Sequence, residues 1–327
     1  MNIKDIILEL RDFEGAKRKN EIRDVVKDLK FSDNDYPYEL ISTFGDDAAV
    51  IGIDNENVIL LAADGIWEKL IISDPWWAGY CSVLVNANDI AAMGGKSIGM
   101  TNVIGFKDKK IEKKILCGIK DGIDKFGIPM VGGHTHPDSS IPILSVSITG
   151  ICKKDSVIFS NGAKVGDKVV FAYDLDGRIY KNFSLNWDTT TMKSKKLVRE
   201  QLDVLNKIGE MKLVNSCKDI SNPGALGTLG MLLEVSNVGA KVCIDKIPKN
   251  EDIPLIQWLK MYPGCGFVFT LPEENFKELK EILEDVNISS KICGEIINDK
   301  KLVVSYKGQK GILYDFNNEY ICGCIDG

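Results

Sequence analysis

The sequence predicts a mixed α/β protein built from two domains of similar size. Three observations favour this class. The chain has 327 residues, which is more than one hydrophobic core usually serves. Segments with strand-like and helix-like patterns alternate along both halves. A polar segment at 150–166, with two glycines near its end, separates the halves, so we expect domains over residues 1–152 and 153–327.

The first half begins with apolar residues at helical spacing over 3–30, interrupted by a charged loop at 11–20. Two apolar runs after Asp47 indicate paired strands. Pro75 directly follows Asp74, which is typical of a helix start, and this helix ends at Gly94-Gly95. The remaining elements predicted in this half are a strand at 99–105, a helix at 111–126, a strand end with a loop at 130–138 and a strand at 141–149.

The second half repeats this style. Its pattern predicts an acid-bearing turn at Asp219 between a strand–helix pair and a further helix. The predicted elements are strands at 168–173, near 242 and at 266–271, helices at 193–208, 226–236 and 273–284, and short strands to the end.

Composition excludes several classes of partner. With 41 basic and 47 acidic side chains the formal charge is −6, and no basic stripe suggests binding to nucleic acid. No apolar run approaches the roughly 18–20 residues that a membrane span needs. The chain begins as an acidic amphipathic helix and not as a signal peptide. The nine cysteines are an odd, scattered set without a CxxC pair, so we expect reduced thiols and a cytoplasmic protein.

Acidic side chains interrupt apolar runs at several turns and strand ends of the first half. Asp46 and Asp47 follow Gly45, Asp64 ends a strand, and Asp89 lies on a helix three residues after Asn86. Carboxylate and amide oxygens are the ligands that Mg²⁺ prefers, and substrate phosphates usually complete its coordination. For each acid taken alone, a role as a turn residue is the favoured explanation. The whole set favours a shared site for a metal and phosphates.

Other motifs give weaker signals. Gly-Gly-Lys-Ser at 94–97 is like the end of a P-loop, but Ile90 stands where the first glycine is required, so we reject that interpretation. Lys17 belongs to a basic cluster that is either a solvated charge run or a group able to reach a polyphosphate. Cys322-Gly-Cys324 is either a flexible thiol tail or a pair of ordinary thiols.

The two histidines of the chain, His134 and His136, lie in one short stretch. An extended segment would place both imidazoles on one face, which suits Zn²⁺ or iron, but no further ligand of suitable spacing is nearby. His134 as a residue that orients a phosphate or its Mg²⁺ is the interpretation that we favour. A purely hydrogen-bonding role stays open for His136.

Several motifs together resemble the aminoimidazole-ribonucleotide synthetase (PurM-like) superfamily, which includes thiamine-monophosphate kinase, selenophosphate synthetase and HypE. The motifs are Phe-Gly-Asp-Asp-Ala-Ala-Val at 44–50, Ala-Asp-Gly at 63–65, Asn-Ala-Asn-Asp-Ile-Ala-Ala-Met-Gly-Gly at 86–95, Val-Gly-Gly-His-Thr at 131–135 and Lys-Asp-Ile-Ser-Asn-Pro-Gly at 218–224. They occur in the family's order and cover nearly the whole chain. The likeness is strongest to the related proteins of methanogenic archaea called methanogenesis marker proteins.

The resemblance implies a two-domain PurM-like fold and a homodimer whose N-terminal domains form a β-barrel. It further implies ATP and Mg²⁺ near that interface and transfer of the γ-phosphoryl group to a small molecule. His134 stands where relatives have Glu, Asp or His, and Asp219 would reach in from the second domain. The resulting assignments are catalytic roles for Asp46, Asp89, His134 and Lys17, cofactor contacts for Asp47, Asp64, Asn86, Gly132, Gly133 and Asp219, and metal ligation by Asp46, Asp47, Asp64 and Asp89.

Departures from the family's motifs narrow the choice among the activities of its members. The first cysteine is Cys81, inside a predicted helix, so the N-terminal Cys or selenocysteine of selenophosphate synthetase has no counterpart. Tyr262-Pro-Gly-Cys-Gly replaces the acidic segment of thiamine-monophosphate kinase. The leading hypothesis is an ATP- and Mg²⁺-dependent kinase or ligase of an unidentified small metabolite, with a link to methanogen cofactor metabolism. The alternatives are a HypE-like assembly factor that acts on a protein partner, and a family member that binds nucleotide without chemistry.

Overall fold

A computed structural model describes residues 1–29, 36–181, 183–264 and 266–324. Helices and strands alternate along the chain, and the strands form two large sheets, each with its own hydrophobic core. The mixed α/β class and the two-domain organisation predicted from sequence are therefore confirmed.

The first domain is built on a six-stranded sheet with the order β1-β2-β3-β6-β4-β5. Its neighbours are antiparallel except for the parallel pair β4 and β5. The strands are β1 (Leu40–Ser42), β2 (Ala49–Gly52), β3 (Asn57–Gly65), β4 (Lys96–Gly105), β5 (Met130–His136) and β6 (Ile143–Lys153). β5, which the sequence suggested only as a strand end with a loop, is a full strand at the edge of the sheet.

Two long helices, α5 (Pro75–Ala92) and α6 (Lys109–Phe126), cover one face of this sheet. The Asp74 side chain caps α5 by accepting a hydrogen bond from the Trp77 N–H at 3.1 Å, as a residue before a helix-starting proline often does. The helices pack closely because Gly118 lies against the Trp76 carbonyl, where a Cβ atom would come within 1.9 Å of the oxygen. The short helix α4 (Glu68–Ser73) precedes α5.

The opposite face of the first sheet is open. β3 and β6 alternate buried and more exposed residues, as expected for strands with one covered face. Large apolar side chains are exposed along β3, β4, β5 and β6, among them Leu61, Val103 and Ile151, with Ile98 53% and Val131 70% exposed. The first domain thus presents an apolar surface to its surroundings.

The second domain is built on a seven-stranded sheet with the order β10-β12-β7-β13-β11-β14-β15. Only β11 and β14 are parallel neighbours among these strands. The strands are β7 (Lys168–Tyr173), β10 (Ser216–Asp219), β11 (Gly239–Cys243), β12 (Gly266–Leu271), β13 (Ser289–Ile297), β14 (Lys301–Tyr306) and β15 (Gln309–Asp315). A separate hairpin of β8 (Arg178–Tyr180) and β9 (Phe183–Asp188), which the sequence did not suggest, follows β7.

Both faces of the second sheet are covered. One core contains helix α8 (Gly224–Val235), and the other contains α7 (Lys195–Glu210) and α10 (Phe276–Glu284). Ala91 and Ala92, at the end of α5, pack into this second core. The end of α5 therefore lies beside β10, at the junction of the two domains. Helix α9 (Leu255–Lys260) lies close to α8.

The N-terminal helices lie elsewhere than the predicted boundaries imply. These helices are α1 (Ile3–Arg11), α2 (Glu14–Lys17) and α3 (Ile22–Leu29). Ile3, Ile6 and Leu10 of α1 are buried in the core of the second sheet, close to β15. The predicted first domain starts at residue 1, but α1 needs an apolar partner for its buried stripe, and the second domain supplies it.

None of the helices in the described part of the chain is long and apolar enough to cross a membrane.

Candidate active site

A cavity of about 1010 Å³ lies at the junction of the two domains. Its wall contains Arg18 and Lys19 from the N-terminal segment, the turn before β2, the end of β3 and part of α5. The second domain adds the end of β10, strand β9 and the segment around Tyr262. A cavity between domains with many polar side chains in its wall is where ligand sites are commonly found.

Local structure carries each acid to this cavity. Gly45 has φ of +101°, and its backbone lies against Cys324, so the turn that presents Asp46 and Asp47 needs a glycine there. Asp64 stands near the end of β3, Asp89 on α5 and Asp219 at the end of β10. All five predicted acids line the cavity.

Three of these acids form a cluster suited to a cation. Asp47, Asp89 and Asp219 each offer one carboxylate oxygen, and these oxygens lie within 4.8 Å of one another. Asp219 comes from the second domain, and the other two come from the first. The cluster therefore exists only when β10 and the end of α5 are packed together.

The acids in and beside the cluster have raised pKa values, which reflect an excess of negative charge in the cavity. Burial, together with the charge of Asp47, raises the pKa of Asp219 to about 8. Burial also raises the pKa of Asp89, and the carboxylates of Asp64 and Asp219 raise it further. For Asp64, burial raises the pKa while the nearby Lys19 opposes the shift. Since these carboxylates keep their protons more tightly than free ones, a further positive charge would be favourable here.

Asp46 has a different partner from the one that the sequence suggested. Its carboxylate accepts hydrogen bonds from the Ser160 N–H at 3.1 Å and the Ser160 hydroxyl at 2.5 Å. Burial raises its pKa to about 6. Asp46 thus ties the acid-bearing turn to the segment that links the domains, and it is absent from the cluster of three. Asp64 also lies outside that cluster, whereas Asp219 belongs to it.

The basic side chains of the cavity wall are Arg18, Lys19, Lys69 and Lys218. Lys218 forms a buried ion pair with Asp47. The Arg18 guanidinium lies 5.0 Å from the ring centre of Trp67, and the Lys69 ammonium lies 4.6 Å from it. Cations over an aromatic face are attracted by its quadrupole. Trp67 therefore attracts two cationic side chains in the same cavity wall that contains the acids.

The remaining predicted residues lie outside the cavity wall. Lys17 forms an ion pair with Asp12, away from the acids. Asn86 is buried, and its Nδ2 donates to the Ser82 carbonyl at 2.9 Å, while its Oδ1 has no hydrogen-bond partner among the described residues. Gly132, Gly133 and His134 are exposed on β5. The ring centroids of His134 and His136 lie 4.6 Å apart.

Sequence reasoning missed Lys218, Trp67 and the position of the C-terminal tail. Cys322 and Cys324 line the cavity, because the buried Glu234 carboxylate accepts hydrogen bonds from the N–H groups of Ile321, Cys322 and Gly323 at 2.9–3.2 Å. The position of Lys218 directly before Asp219 was the available signal for this residue.

The donor set fits a hard divalent cation. The cluster offers carboxylate oxygens only, with no thiolate or imidazole, and such sites suit Mg²⁺ better than zinc or copper. The three carboxylates also repel one another, and this repulsion is a second reason to expect a cation between them. Arg18 and Lys19, on the same cavity, are the side chains able to contact phosphate oxygens.

The fold and this cavity define a two-domain α/β protein with an acid cluster between its domains. Residues 45–152 match the family described as AIR synthase related protein, N-terminal domain, and residues 164–307 match the corresponding C-terminal domain. The chain belongs to the AIR synthase related family. The predicted resemblance is therefore confirmed.

Two relatives show the range of the family. The chain is 64% identical over 99% of its length to the uncharacterized protein MJ0640 of Methanocaldococcus jannaschii, all of which is covered. It is 30% identical to the selenide, water dikinase of Carboxydothermus hydrogenoformans, over 85% of this chain and 84% of that protein. The relatives thus include a named kinase.

Solved structures share the fold. PurL of T. maritima, complexed with ATP, superimposes with a TM-score of 0.71 at 18% identity over 85% of this chain and 47% of that one. AaThiL, complexed with AMPPCP and TMP, gives 0.65 at 19% identity over 89% and 93%. HypE in a HypE–HypF complex gives 0.66 at 18% identity over 90% and 99%. The PurM-like two-domain fold is confirmed.

Proposed function

We propose that this protein is an ATP- and Mg²⁺-dependent phosphotransferase or synthetase that acts on a small molecule. The observation that carries the proposal is the cluster of Asp47, Asp89 and Asp219 in a cavity that also holds Arg18 and Lys19. The named relative selenide, water dikinase and the nucleotide complexes of PurL and ThiL support it.

The acidic and the basic residues of the cavity would have different roles in phosphoryl transfer. Asp47, Asp89 and Asp219 would hold Mg²⁺, which neutralises phosphate charge when bound. Arg18 and Lys19 face the same cavity and place positive charge beside a polyphosphate. Phosphoryl transfer needs positioning and charge stabilisation more than a covalent nucleophile. The acceptor would then enter beside β9 and Tyr262, where the second domain completes the cavity.

Titration calorimetry with Mg²⁺ and a non-hydrolysable ATP analogue tests this function. We expect the wild type to bind, and Asp89→Asn to bind at least about 100-fold more weakly, because a ligand of the cluster is lost. Asp203→Asn, on the exposed side of α7, removes a carboxylate outside the cavity and serves as the matched control. Equal binding by wild type and Asp89→Asn, or none by the wild type, would contradict the proposal.

The alternative of an assembly factor with a reactive C-terminal thiol is less well supported. Cys322 and Cys324 do line the cavity. However, Cys322 Sγ donates to Glu234 at 3.2 Å, and the hydrogen bond with Cys324 together with burial raises the pKa of Cys322 well above its usual range. A thiol that holds its proton so tightly is a poor nucleophile. The acid cluster is therefore better suited to chemistry than the thiol, and this favours an enzyme that acts on a small molecule.

We also propose that the protein forms a homodimer through the open face of the first sheet. Leu61, Val103 and Ile151 lie on that face, and His134 is the cross-strand neighbour of Val103. Exposed apolar patches of this kind are typical of protein–protein interfaces. A second copy on this face would cover His134, which would then act at the interface. A link to methanogen metabolism and a cytoplasmic location stay predictions.

A further inference from the structure

A buried lysine occupies the acid cluster itself. Lys218 precedes Asp219 on β10, and its side chain is only 4% exposed. Its ammonium pairs with Asp47, whose side chain is 6% exposed. A buried ammonium is costly unless it is paired and hydrogen-bonded. Lys218 is therefore held in place by the same carboxylate that belongs to the cluster of three.

Lys218 acts on the whole group of acids. Its charge lowers the pKa values of Asp46, Asp64, Asp89 and Asp219 against the effect of burial. Conversely, burial lowers the pKa of Lys218, whereas the charges of Asp47 and Asp46 raise it. Lys19 also lowers the pKa values of Asp64 and Asp219. Lys218 is thus the cation placed inside the cluster.

The Asp47 carboxylate can bind either the Lys218 ammonium or a divalent cation. Its carboxylate pairs with Lys218, and one of its oxygens belongs to the group within 4.8 Å that suits a divalent cation. A divalent ion and an ammonium cannot both take full advantage of one carboxylate, because each repels the other at such short range. Binding of the metal must therefore weaken the pair between Lys218 and Asp47.

We infer that Lys218 is the resident counter-ion of the carboxylate cluster, and that it lowers the cluster's affinity for divalent cations by competing for Asp47. This inference rests on the proposed Mg²⁺ site. In the absence of metal the lysine keeps three acids close together in spite of their repulsion. When metal takes Asp47, the ammonium remains in the cavity wall, where a phosphate group is its natural partner.

The matched control is a second buried ion pair of the same kind. Lys193 and Asp174 form it in the second domain, with side chains 8% and 5% exposed. Neither residue lines the cavity. Lys193→Met therefore reports what the loss of a buried ion pair does to the protein as a whole, without a change in the acid cluster.

The test is calorimetric titration with Mn²⁺ alone. We expect Lys218→Met to bind Mn²⁺ about tenfold more tightly than the wild type, since a competing charge is removed. Lys218→Arg, which keeps the charge, and Lys193→Met should bind like the wild type. Thermal unfolding should show that Mn²⁺ stabilises Lys218→Met more than the wild type. Equal or weaker Mn²⁺ binding by folded Lys218→Met would overturn the inference.

A measurement on the wild type covers the case in which Lys218→Met does not fold. With ¹⁵N-labelled lysine, Mg²⁺ should shift the Nζ resonance of Lys218 and leave that of Lys193 unchanged. An unchanged Lys218 resonance while Mg²⁺ binds would refute the competition. If neither Mn²⁺ nor Mg²⁺ binds the wild type, the proposed metal site itself fails. If both bind, and Asp89→Asn loses binding while Lys218→Met does not gain it, only the inference fails.

Discussion

Two glycine-containing motifs of the first domain end in different surroundings. The turn after Gly45 is closed in by β10, Lys218 and the C-terminal tail, so that Asp47 meets acids from α5 and the second domain. The motif at Gly132 and Gly133 forms β5, an edge strand whose side chains face solvent. The first motif is completed by the chain that carries it. The second does not line the cavity, so its function depends on whatever covers the open face of the first sheet.

The largest effect that we expect comes from a substitution at the open face of the first sheet. Val103→Lys places a charge in the centre of the proposed dimer interface, where its burial is costly. We expect the dimer to weaken at least about 100-fold, measured by sedimentation velocity over a range of concentrations. Val165→Lys, at an exposed apolar residue outside the first sheet, is the control. A wild type that is already monomeric would rule out the interface.

A smaller effect concerns the closed site. The pKa values of about 6 for Asp46 and about 8 for Asp219 lie above the unfolded value of 3.8. The folded protein therefore holds protons that the unfolded chain has released, and its stability falls as pH rises through this range. With EDTA present, we expect the free energy of unfolding to drop by about 3 kcal/mol between about pH 6 and about pH 8.

Urea denaturation at several pH values measures this drop. Mg²⁺ should reduce it, because the cation replaces the protons as the neutralising charge. Asp219→Asn should also reduce it, since the amide has no proton to lose. Stability that stays level or rises with pH in EDTA would contradict the raised pKa values of Asp46 and Asp219.

The smallest effect concerns the tail that closes the cavity. Glu234→Gln exchanges one of the two carboxylate oxygens for an NH₂ group, which cannot accept hydrogen bonds from the tail. We expect a loss of about 1–3 kcal/mol and faster labelling of Cys322 and Cys324 by a thiol reagent. Glu210→Gln, at an exposed residue, is the control, and the exposed Cys117 is an internal reference. Unchanged labelling would mean that Glu234 does not hold the tail.

Much of the fold was accessible from local patterns. The start of α5 at Pro75 and its end before Gly94 followed from capping and glycine rules, and the alternation in β6 predicted a half-buried strand. The β8–β9 hairpin escaped notice because its strands are short and lack a marked alternation. The location of α1 could not be read either, since an apolar stripe shows that a helix needs a partner but not which sheet provides it.

The site was predicted in part for a similar reason. Asp47, Asp64 and Asp219 stood out as acids at turns and strand ends and Asp89 as an acid on a helix, and all of them reach the cavity. Lys17 was favoured over its neighbours, but the helical turn directs Arg18 and Lys19 to the cavity and leaves Lys17 with Asp12. Which member of a basic run faces a site depends on how the helix is docked.

The sequence by itself determined the fold class, the family and the set of acids, because these depend on local periodicity and on motifs of fixed spacing. Only the tertiary structure decided which acids meet. Packing of the end of α5 against β10 selects Asp47, Asp89 and Asp219 as a cluster and places Lys218 among them. The reason is that charges interact over a few ångströms of space and not along the chain, so their partners are fixed only when the two domains pack together.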